Sequence, residues 1–138
     1  MANEVFVDTS GFYALLVRRD DQHEKASRLL RDSAARSRRF LTTDYVLDET
    51  ATLLKARRHG HLLRAFFDSV LSSSACRIEW TDTQQFRESS AYFLSQRDLP
   101  WSFTDCLSFV VMRRRRLREA LTKDAHFAEA GFTALLVG

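Results

Sequence analysis

Three aspartates stand where a strand is expected to end or a helix to begin. Asp8 ends the first apolar run, Asp124 follows a later one, and Asp105 lies at the start of a helical stretch. Open parallel sheets bind ligands beyond the carboxyl ends of their strands, so these acids can meet in space although they are remote in sequence. Gathered carboxylates repel one another unless protons or a cation lie among them. The pattern therefore predicts a divalent-metal site.

The fourth acid has to be chosen between Asp48 and Glu49, which are neighbours on one predicted helix. At about 100° per residue, the apolar arc of this helix contains Leu53, Val46, Thr50, Leu54 and Leu47. Asp48 lies in the middle of the opposite face, whereas Glu49 lies at the border, next to Leu53. An acid aimed into a cleft prefers the border, so we choose Glu49.

Each acid also has a simpler interpretation. Asp105 with Ser102 fits a capping box, and Asp124 fits a helix N-cap. Asp44 is predicted to cap the helix that carries the fourth acid, and Asp8 can satisfy backbone amides at a strand end. Capping explains each acid by itself, but it does not explain why the acids share one edge of the sheet.

A site with only oxygen ligands favours Mg²⁺ or Mn²⁺ over zinc. Such ions activate water and neutralise charge on a transferring phosphoryl group, which suits phosphodiester hydrolysis. The net charge of +3 and the pI of about 9.2 are compatible with a polyanionic partner. Cys76 and Cys106 form no C-x-x-C pair, which argues against a zinc knuckle or a redox motif.

The elements that must position these acids alternate along the chain. Short apolar runs predict strands over Glu4–Val7, Phe40–Thr42, Arg77–Trp80, Glu119–Thr122 and Thr133–Val137. Helical spacing predicts helices over Gly11–Val17, His23–Ala35, Tyr45–Arg58, His61–Leu71, Thr83–Gln96, Phe103–Arg114 and Ala125–Ala130. This alternation requires crossover connections and predicts an α/β fold with a parallel sheet. The 138 residues suit one domain, which we expect to span 1–138.

The chain resembles the PIN-domain family of metal-dependent ribonucleases at the acids and around them. The matching segments are Val5–Ser10, Leu47–Thr50, Phe103–Leu107 and Leu121–Phe127, and the turn Ala130–Phe132 is similar too. No single segment is specific, but all of them in this order, in a chain of this size, make a strong signal. The resemblance implies a three-layer α/β/α sandwich with a central parallel sheet of about five strands.

The same resemblance implies roles for particular residues. It implies an acidic quartet that binds the ion and catalyses hydrolysis, made of Asp8, Glu49, Asp105 and Asp124. It implies supporting polar groups at Thr9, Ser10 and Thr104. Two departures from the family pattern are mild. Cys106 stands where a small alanine is common, and Lys123 precedes the last acid, where it can weaken metal binding or hold a phosphate.

Compact single-domain members of the family look like VapC toxins of type II toxin–antitoxin pairs. The resemblance therefore implies an RNA substrate, an antitoxin protein as partner, and a homodimer. Phe66 and Phe67 are predicted to be core, with a dimer or antitoxin surface as the alternative. No stretch approaches the roughly 18 apolar residues of a membrane helix, and Met1–Glu4 lacks the features of a signal peptide. We expect a cytoplasmic protein.

Basic residues offer further candidates. Arg113–Arg116 ends a helix, where cations favour the macrodipole and ordinary solvation. Arg113 and Arg116 share a face, and together with Lys123 they are the predicted RNA contacts. A second basic zone beside the helix of Glu49 has the same alternatives and consists of Lys55, Arg57, Arg58 and Arg64.

Four other side chains have both a chemical and a structural interpretation. His59 and His61 can be a metal pair, but a solvated turn fits them better because no third ligand is near. His126 can touch the substrate, but a surface helix position is preferred. Cys106 can be a nucleophile, but no histidine partner is identifiable, so we predict a buried small residue.

Two other classes of function compete with the ribonuclease. A haloacid-dehalogenase-type phosphatase needs a second aspartate where Ser10 stands, and a receiver-type switch needs an aspartate where the third strand ends in Glu79-Trp80-Thr81. The sequence disfavours both. A PIN-fold housekeeping nuclease, or a non-catalytic module that binds nucleic acid or protein, stays open as an alternative.

Overall fold

A computed structural model describes residues 4–137. A five-stranded sheet lies at its centre in the order β3-β2-β1-β4-β5, and every strand pair is parallel. The strands are β1 Glu4–Val7, β2 Arg39–Thr43, β3 Cys76–Glu79, β4 Glu119–Leu121 and β5 Thr133–Ala134. The predicted fold class is confirmed.

Helices connect the strands and flank the sheet. They are α1 Thr9–Leu16, α2 His23–Ala35, α3 Asp44–Ala56, α4 Leu63–Ser72, α5 Thr83–Ser95, α6 Phe103–Arg115 and α7 Ala125–Glu129, and a short 3₁₀ turn covers Gly60–Leu62. No helix within residues 4–137 is both long enough and apolar enough to cross a membrane.

The strand order reverses beside β1, because the chain adds β2 and β3 on one side of β1 and then returns to add β4 on the other. The register pairs Val7 with Leu121, so β1 and β4 end side by side. Such a reversal opens a crevice at the carboxyl ends of the strands. The segments that follow β1 and β4 therefore lie next to each other, and these segments carry Asp8 and Asp124.

Helix α1 reaches this crevice because Gly11 lacks a side chain. A Cβ atom at this position would lie 2.0 Å from the carbonyl oxygen of Leu121. The close approach places the first turn of α1 directly on the end of β4, and the backbone N–H of Asp8 donates to the Leu121 carbonyl at 3.3 Å.

Some predicted boundaries differ from the observed ones. Helix α1 begins at Thr9 rather than Gly11, and β5 ends at Ala134 rather than Val137. The early end of β5 has a physical reason: the N–H of Leu135 still donates to Ala120, but the next N–H donates to Thr122, which breaks the regular register.

The cap predicted for α3 is also different. The side chain of Thr43, and not that of Asp44, accepts the N–H of Val46 at 3.2 Å. Asp44 is the first residue of the helix, and its carboxylate accepts hydrogen bonds from the N–H and the hydroxyl of Thr81. It therefore joins α3 to the segment after β3.

The apolar residues of α5 lie mostly on its outer side. Gln85 and Ser89 are buried, whereas Phe86, Phe93 and Leu94 are exposed. Phe86 and Phe93 still contact the ring of Phe103 at the start of α6, with centroid distances of 5.3 and 5.6 Å.

Candidate active site

Asp8 forms the buried floor of the site. It follows β1 directly, is only 5% exposed, and accepts a 3.0 Å hydrogen bond from the hydroxyl of Thr122. Burial is the main cause that raises its pKa to about 7, and the nearby charges of Asp105 and Glu49 raise it further, against the hydrogen bonds from Thr9 and Thr122. Asp8 stands at the N-cap position of α1, but its side chain makes no capping hydrogen bond.

Thr122 joins the ends of β1 and β4 through one hydroxyl group. It donates to Asp8 and accepts the N–H of Asp124 at 3.0 Å. The hydroxyl of Ser10 lies 3.1 Å from that of Thr122 and accepts the N–H of Lys123 at 2.8 Å. Because the Thr122 proton is directed at a carboxylate, Ser10 is the donor in the contact between the two hydroxyls.

Glu49 reaches the same place from α3. The hydroxyl of Thr9 donates to Glu49 Oε1 at 2.6 Å, so the first residue of α1 orients this carboxylate. Both Asp48 and Glu49 are exposed, but only Glu49 lines the cavity. This geometry agrees with the direction inferred from the helical arc.

Asp105 and Asp124 meet around His126. The Nδ1 atom of His126 lies 3.0 Å from Asp105 Oδ2 and 3.3 Å from Asp124 Oδ1. One ligand atom from each of the three side chains can lie within 4.8 Å of the others. Burial is the largest of the influences that leave the pKa of Asp105 raised, and repulsion from Asp124 adds to it. Burial lowers the pKa of His126, but hydrogen bonding to Asp105 and the negative charges around it leave that pKa raised.

The caps predicted for two of the acids are present as well. Ser102 and Asp105 form a capping box, and Asp124 accepts the N–H of His126 at 2.9 Å. Asp105 and Asp124 therefore cap helices and also belong to the acidic cluster. The same oxygens serve both: Asp105 Oδ2 accepts the N–H of Ser102 and contacts the His126 ring, and Asp124 Oδ1 accepts the N–H of His126 and lies 3.3 Å from its Nδ1.

A cavity of about 410 Å³ opens above the acids. Three of the predicted acids line it, namely Asp8, Glu49 and Asp124. Its walls also include Thr9, Ser10, Tyr13, Asp20, Leu53, Arg57 and Lys123. Asp105 and His126 are not part of its lining, but the charge of Asp105 raises the pKa of Asp8, and Asp105 and the cavity-lining Asp124 both lie close to His126.

These residues fit a divalent cation. Asp8, Glu49 and Asp124 line one cavity, and among residues 4–137 the ligand atoms that lie close enough to share an ion belong to Asp105, Asp124 and His126. Burial together with repulsion from neighbouring acids raises the pKa of Asp8 and of Asp105. A cation among them would relieve both the burial cost and the repulsion. Carboxylate oxygens are ligands that suit Mg²⁺ or Mn²⁺.

The predicted RNA contacts lie in different parts of the molecule. Lys123 lines the cavity, but its ammonium group is held by Asp20 at 2.9 Å and by Asp21 at 2.8 Å. Arg113 and Arg116 lie at the far end of α6 from Asp105. Arg113 donates to the carbonyl of Ala130 at 3.0 Å, so this geometry gives no support to its prediction as an RNA contact.

Four other candidates, Thr104, Cys106, Phe66 and Phe67, do not line the cavity. Thr104 lies beside Asp105, and its carbonyl accepts the hydroxyl of Ser108 at 2.8 Å. Cys106 is fully buried, and desolvation is the main cause that raises its thiol pKa to about 11, which disfavours a nucleophilic thiolate. Phe66 belongs to the core, whereas Phe67 is 41% exposed.

Two side chains of the cluster were not selected from the sequence. Thr122 was assigned to the end of a strand, and His126 to a surface position on a short helix. A threonine two residues before a predicted site acid is a weak signal, because β-branched residues are common in strands. The predicted helix start at Asp124 is a better signal for His126, because it places His126 in the first turn of that helix, next to the acid.

The fold and site define a known class of protein. Residues 5–133 match the PIN domain, and the chain belongs to this family. It is 33% identical over 128 residues to the 23S rRNA-specific endonuclease VapC20 from two strains of Mycobacterium tuberculosis, which covers 93% of this chain and 95% of each relative. The resemblance seen in the sequence is therefore confirmed.

A comparison with solved structures also finds VapC20. The crystal structure of Mycobacterium tuberculosis VapC20, described as a sarcin-ricin loop cleaving toxin, matches with a TM-score of 0.82 and 31% identity. The match covers 93% of this chain and 95% of that chain.

Proposed function

We propose that this protein is a metal-dependent endoribonuclease, the toxin of a type II toxin–antitoxin pair, which cuts 23S rRNA in the sarcin–ricin loop. The observation that carries the proposal is the convergence of Asp8, Glu49 and Asp124 on one cavity, with Asp105 tied to Asp124 through His126. The relative VapC20, similar over nearly the whole chain, supports the choice of substrate.

In this proposal the four acids hold Mg²⁺ or Mn²⁺. When bound, a divalent ion supplies Lewis acidity and charge neutralisation for phosphodiester hydrolysis. The chain's own contribution is to orient the ligands: Thr122 fixes Asp8, Thr9 fixes Glu49, and His126 fixes Asp105. Ligands held in advance by such hydrogen bonds need little rearrangement when the substrate binds.

The test is cleavage by the purified protein. Wild type is expected to cut 23S rRNA in ribosomes with Mg²⁺ or Mn²⁺, at one position mapped by primer extension, and EDTA is expected to stop it. Asp8→Asn should be inactive. Equal cleavage with and without chelator would contradict the metal mechanism. Cleavage at many positions in unrelated RNAs would favour a housekeeping nuclease, and no cleavage would favour a binding module.

The toxin assignment has its own test. Expression of the protein alone should slow growth, and Asp8→Asn should relieve this effect. An antitoxin is expected to place an Arg or Lys side chain against the carboxylates, because the cavity has an acidic floor. Unimpaired growth with soluble wild-type protein present would contradict the toxin assignment.

We also propose cytoplasmic action as a homodimer. Cys76 and Cys106 are free thiols, which fits a reducing compartment. The homodimer is proposed from the resemblance to VapC toxins, because single exposed apolar side chains such as Leu71, Trp80 and Leu94 do not by themselves mark an interface. Light scattering of the purified protein measures the oligomer, and a monomeric mass at all concentrations would contradict the dimer.

A further inference from the structure

Helix α3 and its C-cap residue present three side chains to the cavity in a single line. Glu49, Leu53 and Arg57 are spaced four residues apart, and all three line the cavity. Residues with this spacing lie above one another on a helix face, and their side chains lean toward the N-terminus. The backbone distance from Glu49 to Arg57 is about 12 Å. The guanidinium of Arg57 therefore lies on the same wall as a site acid, one or two turns away.

An aromatic ring holds this guanidinium in place. The Cζ atom of Arg57 lies 5.2 Å from the centre of the Tyr13 ring, and Tyr13 also lines the cavity. The Tyr13 ring in turn contacts His59 edge-on, with a centroid distance of 5.7 Å. A cation over an aromatic face is attracted to the ring quadrupole, and its N–H groups stay available at the edge of the guanidinium plane.

Arg57 makes no direct ion pair with an acid of residues 4–137. The ion pairs among residues 4–137 engage Arg38, Arg77, Arg114, Arg115 and Lys123, but not Arg57. Lys123 is the other cation that lines the cavity, and it has two aspartates on its ammonium group. Arg57 thus offers a positive charge that no direct ion pair engages, beside an acidic floor.

We propose that Arg57, held on Tyr13, binds a backbone phosphate of the RNA that flanks the phosphate at the acidic cluster. The proposal rests on the ribonuclease function proposed above. An RNA that enters the cavity brings several negative charges toward the acids, so a fixed cation on the wall offsets part of the repulsion. The planar guanidinium can donate two parallel hydrogen bonds to a phosphate, which an ammonium group cannot.

The position of Arg57 at the end of α3 has a simpler explanation, because cations at a helix C-terminus favour the macrodipole. That explanation also applies to Lys55 in the last turn of the same helix. It does not account for the contact with Tyr13 or for the place of Arg57 in the cavity wall. Lys55 is exposed and outside the cavity lining, so it is a matched control.

The experiment measures RNA binding by fluorescence anisotropy over a series of KCl concentrations at fixed Mg²⁺. The probe is a labelled 23S rRNA fragment that contains the sarcin–ricin loop, and all proteins carry Asp8→Asn to suppress cleavage. Arg57→Ala should weaken binding about tenfold, the order expected for one charge-assisted contact. It should also reduce the slope of log K against log salt by about 0.7 to 0.9.

Two further variants make the result specific. Lys55→Ala should leave both affinity and slope near those of the parent, although it removes the same charge from the same helix. Arg57→Lys should keep the slope but bind less tightly, because it keeps the charge and loses the planar donors. Equal effects of Arg57→Ala and Lys55→Ala, an unchanged slope for Arg57→Ala, or a parent that binds no RNA would each overturn the proposal.

The test of the Arg57 contact and the test of the proposed ribonuclease activity can fail independently. If wild type cleaves 23S rRNA but Arg57→Ala binds like the parent, only the phosphate contact is wrong. If Arg57→Ala weakens binding as expected but wild type cleaves nothing, the phosphate contact is supported and the ribonuclease activity is wrong.

Discussion

The hydroxyl of Thr9 donates a 2.6 Å hydrogen bond to Oε1 of Glu49, although the two residues are 40 positions apart in the sequence. Thr9 is the first residue of α1 and Glu49 lies in the middle of α3. The bond uses one carboxylate oxygen and leaves the other for a ligand in the cavity. The first turn after β1 thus supplies Asp8 and also orients an acid from another helix.

This relationship predicts that Glu49 and Asp48 differ sharply. Glu49→Gln should lower the cleavage rate by at least about tenfold, or roughly 1.4 kcal/mol of activation free energy. Asp48→Asn should leave the rate nearly unchanged, because Asp48, unlike Glu49, does not line the cavity. Single-turnover cleavage of the 23S rRNA fragment measures both rates. A large loss for Asp48→Asn together with a silent Glu49→Gln would show that the helix face is wrongly assigned.

The sequence predicted the fold because each strand and helix has a strong local pattern. The alternation of apolar runs and helical spacing is enough for a parallel sheet, and the helical arc gave the direction of Glu49. The hydrogen bonds of the site depend on contacts between distant segments. Thr122 contacts Asp8 across 114 positions, and His126 contacts Asp105 across 21, and no local pattern carries that information.

The close approach of α1 to β4 at Gly11 also depends on a contact between distant segments, so the sequence does not show it. Its reason lies in the carbonyl of Leu121, which the register of β4 brings beside α1. The ion pairs of Lys123 are equally out of reach of the sequence, because Asp20 and Asp21 belong to the loop before α2. Sequence patterns locate charged residues on elements, but they do not give the partners that tertiary contacts provide.

Buried Asp8 should make the metal-free protein sensitive to pH. Its pKa is raised from 3.8 to about 7 in the folded state, so the folded protein keeps a proton that the unfolded chain releases. Stability is therefore lost as pH rises from about 4 to about 7. Asp8→Asn removes this loss. Relative to wild type in EDTA, it should gain on the order of 2 to 3 kcal/mol more at pH 8 than at pH 5.

Urea unfolding at both pH values gives these free energies. Asp48→Asn is the control, since it removes a carboxylate that is exposed. It should change stability equally at the two pH values. A difference between wild type and Asp8→Asn that is the same at pH 5 and pH 8 would mean that Asp8 titrates alike in the folded and unfolded states.

Gly11 should not tolerate even a methyl group. In Gly11→Ala the new Cβ would lie 2.0 Å from the Leu121 carbonyl oxygen, so α1 or β4 has to move. The expected loss is about 3 kcal/mol of unfolding free energy, measured by urea unfolding. Gly60→Ala is the matched control, because nothing lies within 4 Å of its Cβ position. Equal stability of the two variants would contradict the close approach of α1 to β4.

The metal site itself can be tested without a substrate, by thermal melting in EDTA and in Mn²⁺. A ligand that binds only the folded state stabilises by about 2.7 kcal/mol at a hundredfold excess over its Kd. Wild type should therefore melt at a higher temperature in Mn²⁺. Asp105→Asn should melt at or above wild type in EDTA, because it relieves a buried charge that Asp124 repels, and it should gain much less from Mn²⁺.

Ser102→Ala separates this result from helix capping. Ser102 accepts the N–H of Asp105 at 3.0 Å, and its loss should cost about 1 kcal/mol through the cap alone. The variant keeps all four carboxylates, so its gain in melting temperature from Mn²⁺ should equal that of wild type. Asp105→Asn should show the opposite pattern, with no loss in EDTA and little gain in Mn²⁺. If wild type and Asp105→Asn shift equally, Asp105 caps α6 and does not bind the ion.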